Sequence, residues 1–199
     1  MKQPITYILV PGLWDQRPLF GWFYLVVGKW WRLHGMRTVF CKMNWVSTES
    51  YRMKMKRLET CIRQQQRAGR GVVVVGVSAG GSMALIALCE HEEKVFGAVS
   101  ISGLLKLTAK DRANPLYAKT SWFEAADRAE RLSKHMDRGV RRRLLTLSGT
   151  EDDLINPRQE HIPGAAQRRV KGHGHLLTIV RILLIYPRTI KRFMHELHR

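Results

Sequence analysis

The residues best suited to chemistry lie in three short stretches. The first is GVSAG, Gly76 to Gly80, set between the run VVVV and the apolar stretch MALIALC. A serine hydroxyl is a poor nucleophile near pH 7 and becomes a good one when a neutral imidazole accepts its proton. The second stretch, LLTLSGTEDDLINP, carries the adjacent carboxylates Asp152 and Asp153 beyond Gly149, and the third, VKGHGHLL, carries His173 and His175. A carboxylate that fixes the imidazole tautomer and steadies the imidazolium would complete the set needed for acyl transfer.

Such side chains act together only if the chain holds their ends in one place. Short β-branched runs alternate with longer stretches of helical period, which is the pattern of a parallel sheet with helices on both faces. Strands are expected over Ile5–Val10, Arg37–Cys41, Gly71–Val77, Phe96–Ser102 and Arg143–Ser148, with a weaker sixth over Ala166–Val170. Helices are expected over Leu19–Leu33, Glu49–Arg67 and Ser82–His91, the last apolar nearly all round and therefore central. A final helix, Leu176–Leu197, sets Leu177, Val180 and Leu184 on one stripe and contains Pro187, which should kink or break it. Residues 104–140 are more polar and read as an insertion with one helix, announced by a capping box from Ser121 to Glu124. GVSAG then falls on a strand-to-helix turn. There Ser78 sits at a strained bend, and a side chain at Gly76 or Gly80 would collide with the neighbouring strand or helix.

With this motif in this context, the chain resembles the α/β-hydrolase superfamily, whose nucleophile elbow is G-x-S-x-G and whose triad runs Ser, acid, His. The resemblance implies one domain over residues 1–199: a mostly parallel sheet of about six strands, trimmed at its N-terminal side, with helices on both faces. It implies residues 104–140 as a small cap over the site. It selects Asp152, three residues after Gly149, over Asp153, and His175, in a Gly-His pair before the last helix, over His173. The superfamily binds the oxyanion with the N–H after the nucleophile, here Ala79, and with one from the loop after the first strand. In LVPGLWD that second donor is Leu13 or Trp14, and Pro11 stands where histidine is common. The implied activity is that of a serine hydrolase cleaving a carboxylic ester or thioester through an acyl-enzyme on Ser78. Trp14, Leu104, Leu105, Trp122 and Phe123 are the expected acyl-pocket walls, and no cofactor or metal is called for.

Other readings of the same residues are weaker. Gly76 to Gly81 has the glycine spacing of a phosphate loop, but Ser82 stands where that loop needs lysine. His173 and His175 could share a face with an aspartate around a metal, but no third and fourth ligand is evident. The aromatic run with Trp22, Phe23, Trp30 and Trp31 reads as core more readily than as a pocket or membrane foot.

Composition bounds the partners. With 45% hydrophobic and 25% charged residues the chain is globular, and the three cysteines, Cys41, Cys61 and Cys89, form no disulfide framework or zinc pattern. A reduced, cytoplasmic setting is expected. No signal peptide is expected, because the first apolar run is cut by Pro11 and closed by Asp15 without a small-residue cleavage site, and no transmembrane helix, because the most apolar stretch, Pro18 to Trp31, is too short to span. The 34 Lys and Arg against 16 Asp and Glu leave a charge of +18, more than solubility requires. That charge suggests an anionic acyl substrate or its carrier, such as an acidic phospholipid, a coenzyme A thioester or an acyl carrier protein, and peripheral association with an anionic membrane. No nucleic-acid motif accompanies it. The competing class is a catalytically inactive hydrolase-fold protein that binds an anionic ligand, membrane surface or partner.

Overall fold

β-Branched residues fit a pleated strand buried on both faces, and the runs that carry them form a six-stranded sheet. In the computed structural model, which describes residues 3–13 and 15–197, the first half of the chain runs β1 (Ile5–Val10), α1 (Pro18–Leu33), β2 (Arg37–Phe40), α2 (Tyr51–Arg67), β3 (Gly71–Val77), α3 (Gly80–Glu90) and β4 (Val95–Ile101). The second half adds α4 (Ala109–Ala113), α5 (Pro115–Ala118), α6 (Ser121–His135), α7 (Arg138–Arg142), β5 (Leu144–Glu151), α8 (Pro157–Glu160), β6 (Ala166–His173), α9 (His175–Ile185) and α10 (Pro187–Glu196). All neighbouring strands pair in parallel, in the order β2-β1-β3-β4-β5-β6.

Alternate residues of each strand feed opposite cores, as the period of two requires. Ile8, Val10, Val72 and Val74 pack against Met55 and Leu58 of α2, Met83 of α3, and Ala125 and Ala129 of α6. Tyr7, Leu9, Val73 and Val75 pack against Val27 and Trp31 of α1, Ile179 and Ile182 of α9, and Met194 of α10. Central α3 is buried along nearly its whole length, from Gly80 to Leu88.

Several expectations need correction. Residues 104–142 carry helices α4 to α7, of which α6 lies in the helix layer beside α3 and α2, where alanines at 125 and 129 permit close approach. The cap of α6 is Thr120, whose Oγ1 accepts the Phe123 N–H at 3.3 Å, so Ser121 is already helical. Of the stripe Leu177, Val180 and Leu184, Leu177 is exposed and Leu184 packs half-buried against the core. α9 is apolar on both sides, and it is Thr178, Ile179, Ile182 and Leu183 that face the sheet. Pro187 divides α9 from α10, as its missing N–H requires. Cys41 and Cys61, far apart in sequence, meet where α2 crosses the end of β2, with their sulfurs 3.4 Å apart. Among the described residues, no helix is long and apolar enough to cross a membrane.

Candidate active site

β1 lies between β2 and β3, so successive connections leave it in opposite directions and open a crevice at the carboxyl ends of β1 and β3. Ser78 follows β3 into that crevice. Its φ of +51° is the left-handed conformation that L side chains rarely adopt, and it is imposed by the turn. The Ser78 N–H is held by Ile101 O at 2.9 Å, and its carbonyl takes the N–H groups of Gly81 and Leu104. A Cβ on Gly76 would overlap the Gly80 carbonyl and approach the Gly81 Cα to 2.7 Å, and one on Gly80 would meet the Pro11 carbonyl at 2.7 Å. Both glycines are therefore required by the approach of α3 to β3 and β1.

The loops after β5 and β6 bring the remaining groups to Ser78. Nε2 of His175 lies 2.9 Å from Ser78 Oγ, and Nδ1 lies 2.9 and 3.0 Å from the two oxygens of Asp152. With Asp152 accepting at Nδ1, the Nε2 lone pair faces the serine hydroxyl, the arrangement in which Ser78 Oγ can lose its proton as it attacks. Burial resists ionisation of Asp152, but the His175 hydrogen bond and the N–H groups of Ile155 and Leu154 outweigh it and hold the carboxyl below its usual range.

The two competitors do other things. Asp153 accepts the backbone N–H of His175 at 2.6 Å, capping α9 where Gly174 (φ +74°) turns into the helix. His173 is exposed and pairs with Glu151.

A family model, Esterase, matches residues 53–172, more than half of the chain and a span that contains Ser78 and Asp152. The chain belongs to the Esterase family. This esterase has the α/β-hydrolase fold, which is shared at low identity by solved structures. One is from a pair of metagenome-derived lipolytic enzymes, LipS and LipT: 12% identity, TM-score 0.71, 98% of this chain and 94% of that one. A carboxylesterase of the thaumarchaeon Nitrososphaera gargenis gives 16% identity and a TM-score of 0.69 over 98% of this chain and 91% of that one. The monoacylglycerol lipase of Paleococcus ferrophilus gives 16% and 0.62 over 96% and 94%. No curated protein matches the sequence.

In this esterase the loop after β1 lies against Ser78. Ala79 starts α3 directly beside Ser78, and Leu13 and Ser78 line the same cavity. Among the described residues neither the Ala79 nor the Leu13 N–H has a backbone partner outside the regular helices and strands. The alternative donor and pocket wall, Trp14, lies outside the described residues.

Sequence reasoning missed what holds this loop. Asp15 is 2% exposed and accepts the N–H groups of Met43 at 2.6 Å and Asn44 at 2.8 Å, while Trp45 Nε1 donates to Pro11 O. The 43–47 loop is tied in turn by fully buried Lys54, which donates to Asn44 O and Ser47 Oγ at 2.7 Å each. Asp15 could have been noticed as the acid that ends an apolar run. Lys54 is hidden in the basic stretch RMKMKR, and only its helical spacing from Leu58 and Ile62 hints at burial.

The cavity in front of Ser78 has a volume of about 590 Å³, within the usual range for small-molecule sites. Its walls come from α1 and α9, with Leu19, Phe20, Trp22 and Phe23 facing Leu176 and Val180. Four of the expected walls, Leu104, Leu105, Trp122 and Phe123, lie elsewhere. Leu105 is fully buried in the core on the α3 side, and Leu104 forms a small cluster with Leu107, Ala126 and Ile155, against which Trp122 and Phe123 pack. The aromatic run of α1 divides in two: Trp31 is core, as read, whereas Trp22 and Phe23 line the cavity.

Behind Ser78, His175 and Asp152 lies a buried acid that the sequence did not mark. Glu160 is 1% exposed and accepts the Gly103 N–H at 2.5 Å. Burial pushes its carboxyl up to about 8 against the pull of that N–H. Gly103 packs on Gly81, and the next residue donates to the Ser78 carbonyl, so Glu160 supports the elbow from below.

Proposed function

We propose that this esterase cleaves carboxylic esters with apolar acyl groups through an acyl-enzyme on Ser78. Ser78 Oγ attacks the ester carbonyl while His175 Nε2 takes its proton, and Asp152 holds the imidazole in the required tautomer and balances the imidazolium. The carbonyl oxygen, now negative, is held by the N–H groups of Ala79 and Leu13, which are preorganised by the start of α3 and by the Asp15 tie. The C–O bond to the alcohol breaks as His175 returns its proton to the leaving oxygen. Water then repeats the sequence on the acyl-enzyme and releases the acid. The same steps apply to a thioester. The apolar walls supplied by α1 and α9 favour a hydrocarbon acyl chain over a charged one.

The observation that carries this reading is the unbroken hydrogen-bonded line from Ser78 Oγ through His175 to Asp152. A fluorophosphonate probe tests it without knowledge of the substrate. One adduct by intact mass on the wild type and none on Ser78→Ala is the expected result. No adduct on folded wild type would transfer the weight to a non-catalytic binding role.

A further inference from the structure

We infer that the face formed by α1 and α9 around the cavity mouth docks on an anionic lipid surface. α1 has two apolar faces. Tyr24, Val27 and Trp31 are buried against the sheet, whereas Leu19, Trp22, Leu25 and Leu33, on the opposite side, are 60 to 80% exposed. An amphipathic surface helix would carry polar residues there. α9 repeats the pattern: Leu176, Leu177 and Ile185 are 55 to 68% exposed, and Arg181 lies on their side. The two helices run side by side in the same direction, joined by Trp30 Nε1 to Leu184 O and Trp31 Nε1 to Leu183 O, both at 2.7 Å. Their outward faces therefore form one apolar strip about 20 Å long, from 1.5 Å per residue over the exposed positions of α1. The cavity opens at its N-terminal end, where Leu19, Trp22, Leu176 and Leu177 are both wall and rim.

Charge selects the occupant. Neither α1 nor α9 contains an acidic residue, and Lys29, Arg32 and Arg181 are exposed on them without an ion-pair partner among the described residues. Beyond the C-terminal end of α9, Arg168, whose guanidinium lies 5.2 Å from the Tyr186 ring, and Arg188 and Arg192 of α10 add further exposed cations. An apolar strip flanked by cations is the pairing of signals that anchors a protein at a lipid interface, and an indole at the rim suits that depth. A second copy of the chain would press the same cations together, with a net +18 on each molecule. Docked in this way, the cavity mouth faces the layer from which a hydrocarbon chain could enter. The inference does not depend on the chemistry of Ser78.

Co-sedimentation of Ser78→Ala protein with vesicles tests it, so that a failure of docking is separable from a failure of catalysis. Vesicles of phosphatidylcholine containing a minority of phosphatidylglycerol should retain the protein, and pure phosphatidylcholine should retain far less. Leu25→Ser, Leu33→Ser and Ile185→Ser combined, at exposed positions outside the cavity, should lower partitioning by at least about tenfold. In the Ser78 background their turnover of a short soluble ester should be unchanged. Lys29→Gln with Arg181→Gln should lower partitioning by about fivefold per charge removed. Equal retention on both vesicle types, no retention on either, or retention indifferent to the apolar triple variant would overturn the proposal. So would a concentration-dependent dimer that the triple variant dissolves, since the face would then be an interface between copies.

Discussion

Gly12 touches Ser78: a Cβ added to the glycine would lie 2.9 Å from the serine Cβ and 3.2 Å from the Val77 carbonyl. The loop cannot easily retreat, because Asp15 ties it to residues 43 and 44 and the Gly12 N–H faces the Tyr24 hydroxyl. Gly12→Ala should therefore displace the Leu13 N–H. A loss in kcat of about 10²–10³, with KM little changed, is the size expected for one oxyanion donor. Steady-state kinetics on a soluble ester checks it, and an unchanged kcat would remove this loop from the oxyanion site.

The two carboxylates after Gly149 should separate cleanly. Asp152→Asn should lower kcat by about 10⁴, through the wrong imidazole tautomer. Asp153→Asn keeps an acceptor but loses the charge at the start of α9, and should cost roughly 0.3–1 kcal/mol of stability with a small loss of rate. His175→Ala should abolish turnover, and His173→Ala should leave most of it. A reversed order in either pair would reassign the triad. As Asp152 is held ionised below the usual range, the stability it contributes is present above an ordinary carboxyl pKa and lost as pH falls through the depressed value.

Glu160 should make stability fall with rising pH. Its folded pKa, about 8, lies above the ordinary carboxyl value of 4.5. The folded chain thus holds a proton that the unfolded chain releases, and stability is lost from about pH 4.5 until the carboxyl ionises near 8. Glu160→Gln keeps an acceptor for the Gly103 N–H and removes the charge. The variant should be more stable than wild type at pH 8.5, by an amount on the order of 1–3 kcal/mol, and equal to it near pH 4.5. Urea melts at the two pH values decide it, and parallel curves would show that Glu160 ionises normally.

Asp15→Ala strands buried N–H groups and frees the loop that carries Leu13. A destabilisation of about 3 kcal/mol is expected, with a fall in kcat larger than any change in KM. If melting drops and kcat does not, Asp15 serves the fold and not the oxyanion site.

The Cys41–Cys61 contact, with the sulfurs 3.4 Å apart beside Arg57, favours one thiolate. The hydrogen bond to Cys41 and the Arg57 charge, against burial, bring Cys61 down to about 7, whereas burial pushes Cys89 up to about 12. Iodoacetamide at pH 7.5 should modify Cys61 well before Cys89. Peptide mapping after brief labelling reads the order, and preferential labelling of Cys89 would contradict it.

The sequence by itself determined the sheet and the elbow, because each is local chemistry, and its resemblance to the α/β-hydrolase superfamily singled out Asp152 and His175 from their neighbours. A run such as VVVV can only be a doubly buried strand, the steric need for Gly76 and Gly80 lies within five residues, and Asp152 and His175 follow their strands directly. Tertiary structure alone decided what surrounds them. The sequence marks a residue as apolar without saying which element it will face, so Leu104, Leu105 and Trp122 went to the cores while α1 and α9 supplied the cavity walls. For the same reason the stripe Leu177, Val180 and Leu184 is divided, with Leu177 exposed and Leu184 packed on the core, since a helix apolar on both sides leaves the choice to packing. Asp15, Lys54 and Glu160 look like ordinary surface charges in the chain. Their burial comes from long-range partners at residues 43, 44 and 103, contacts that no local pattern contains.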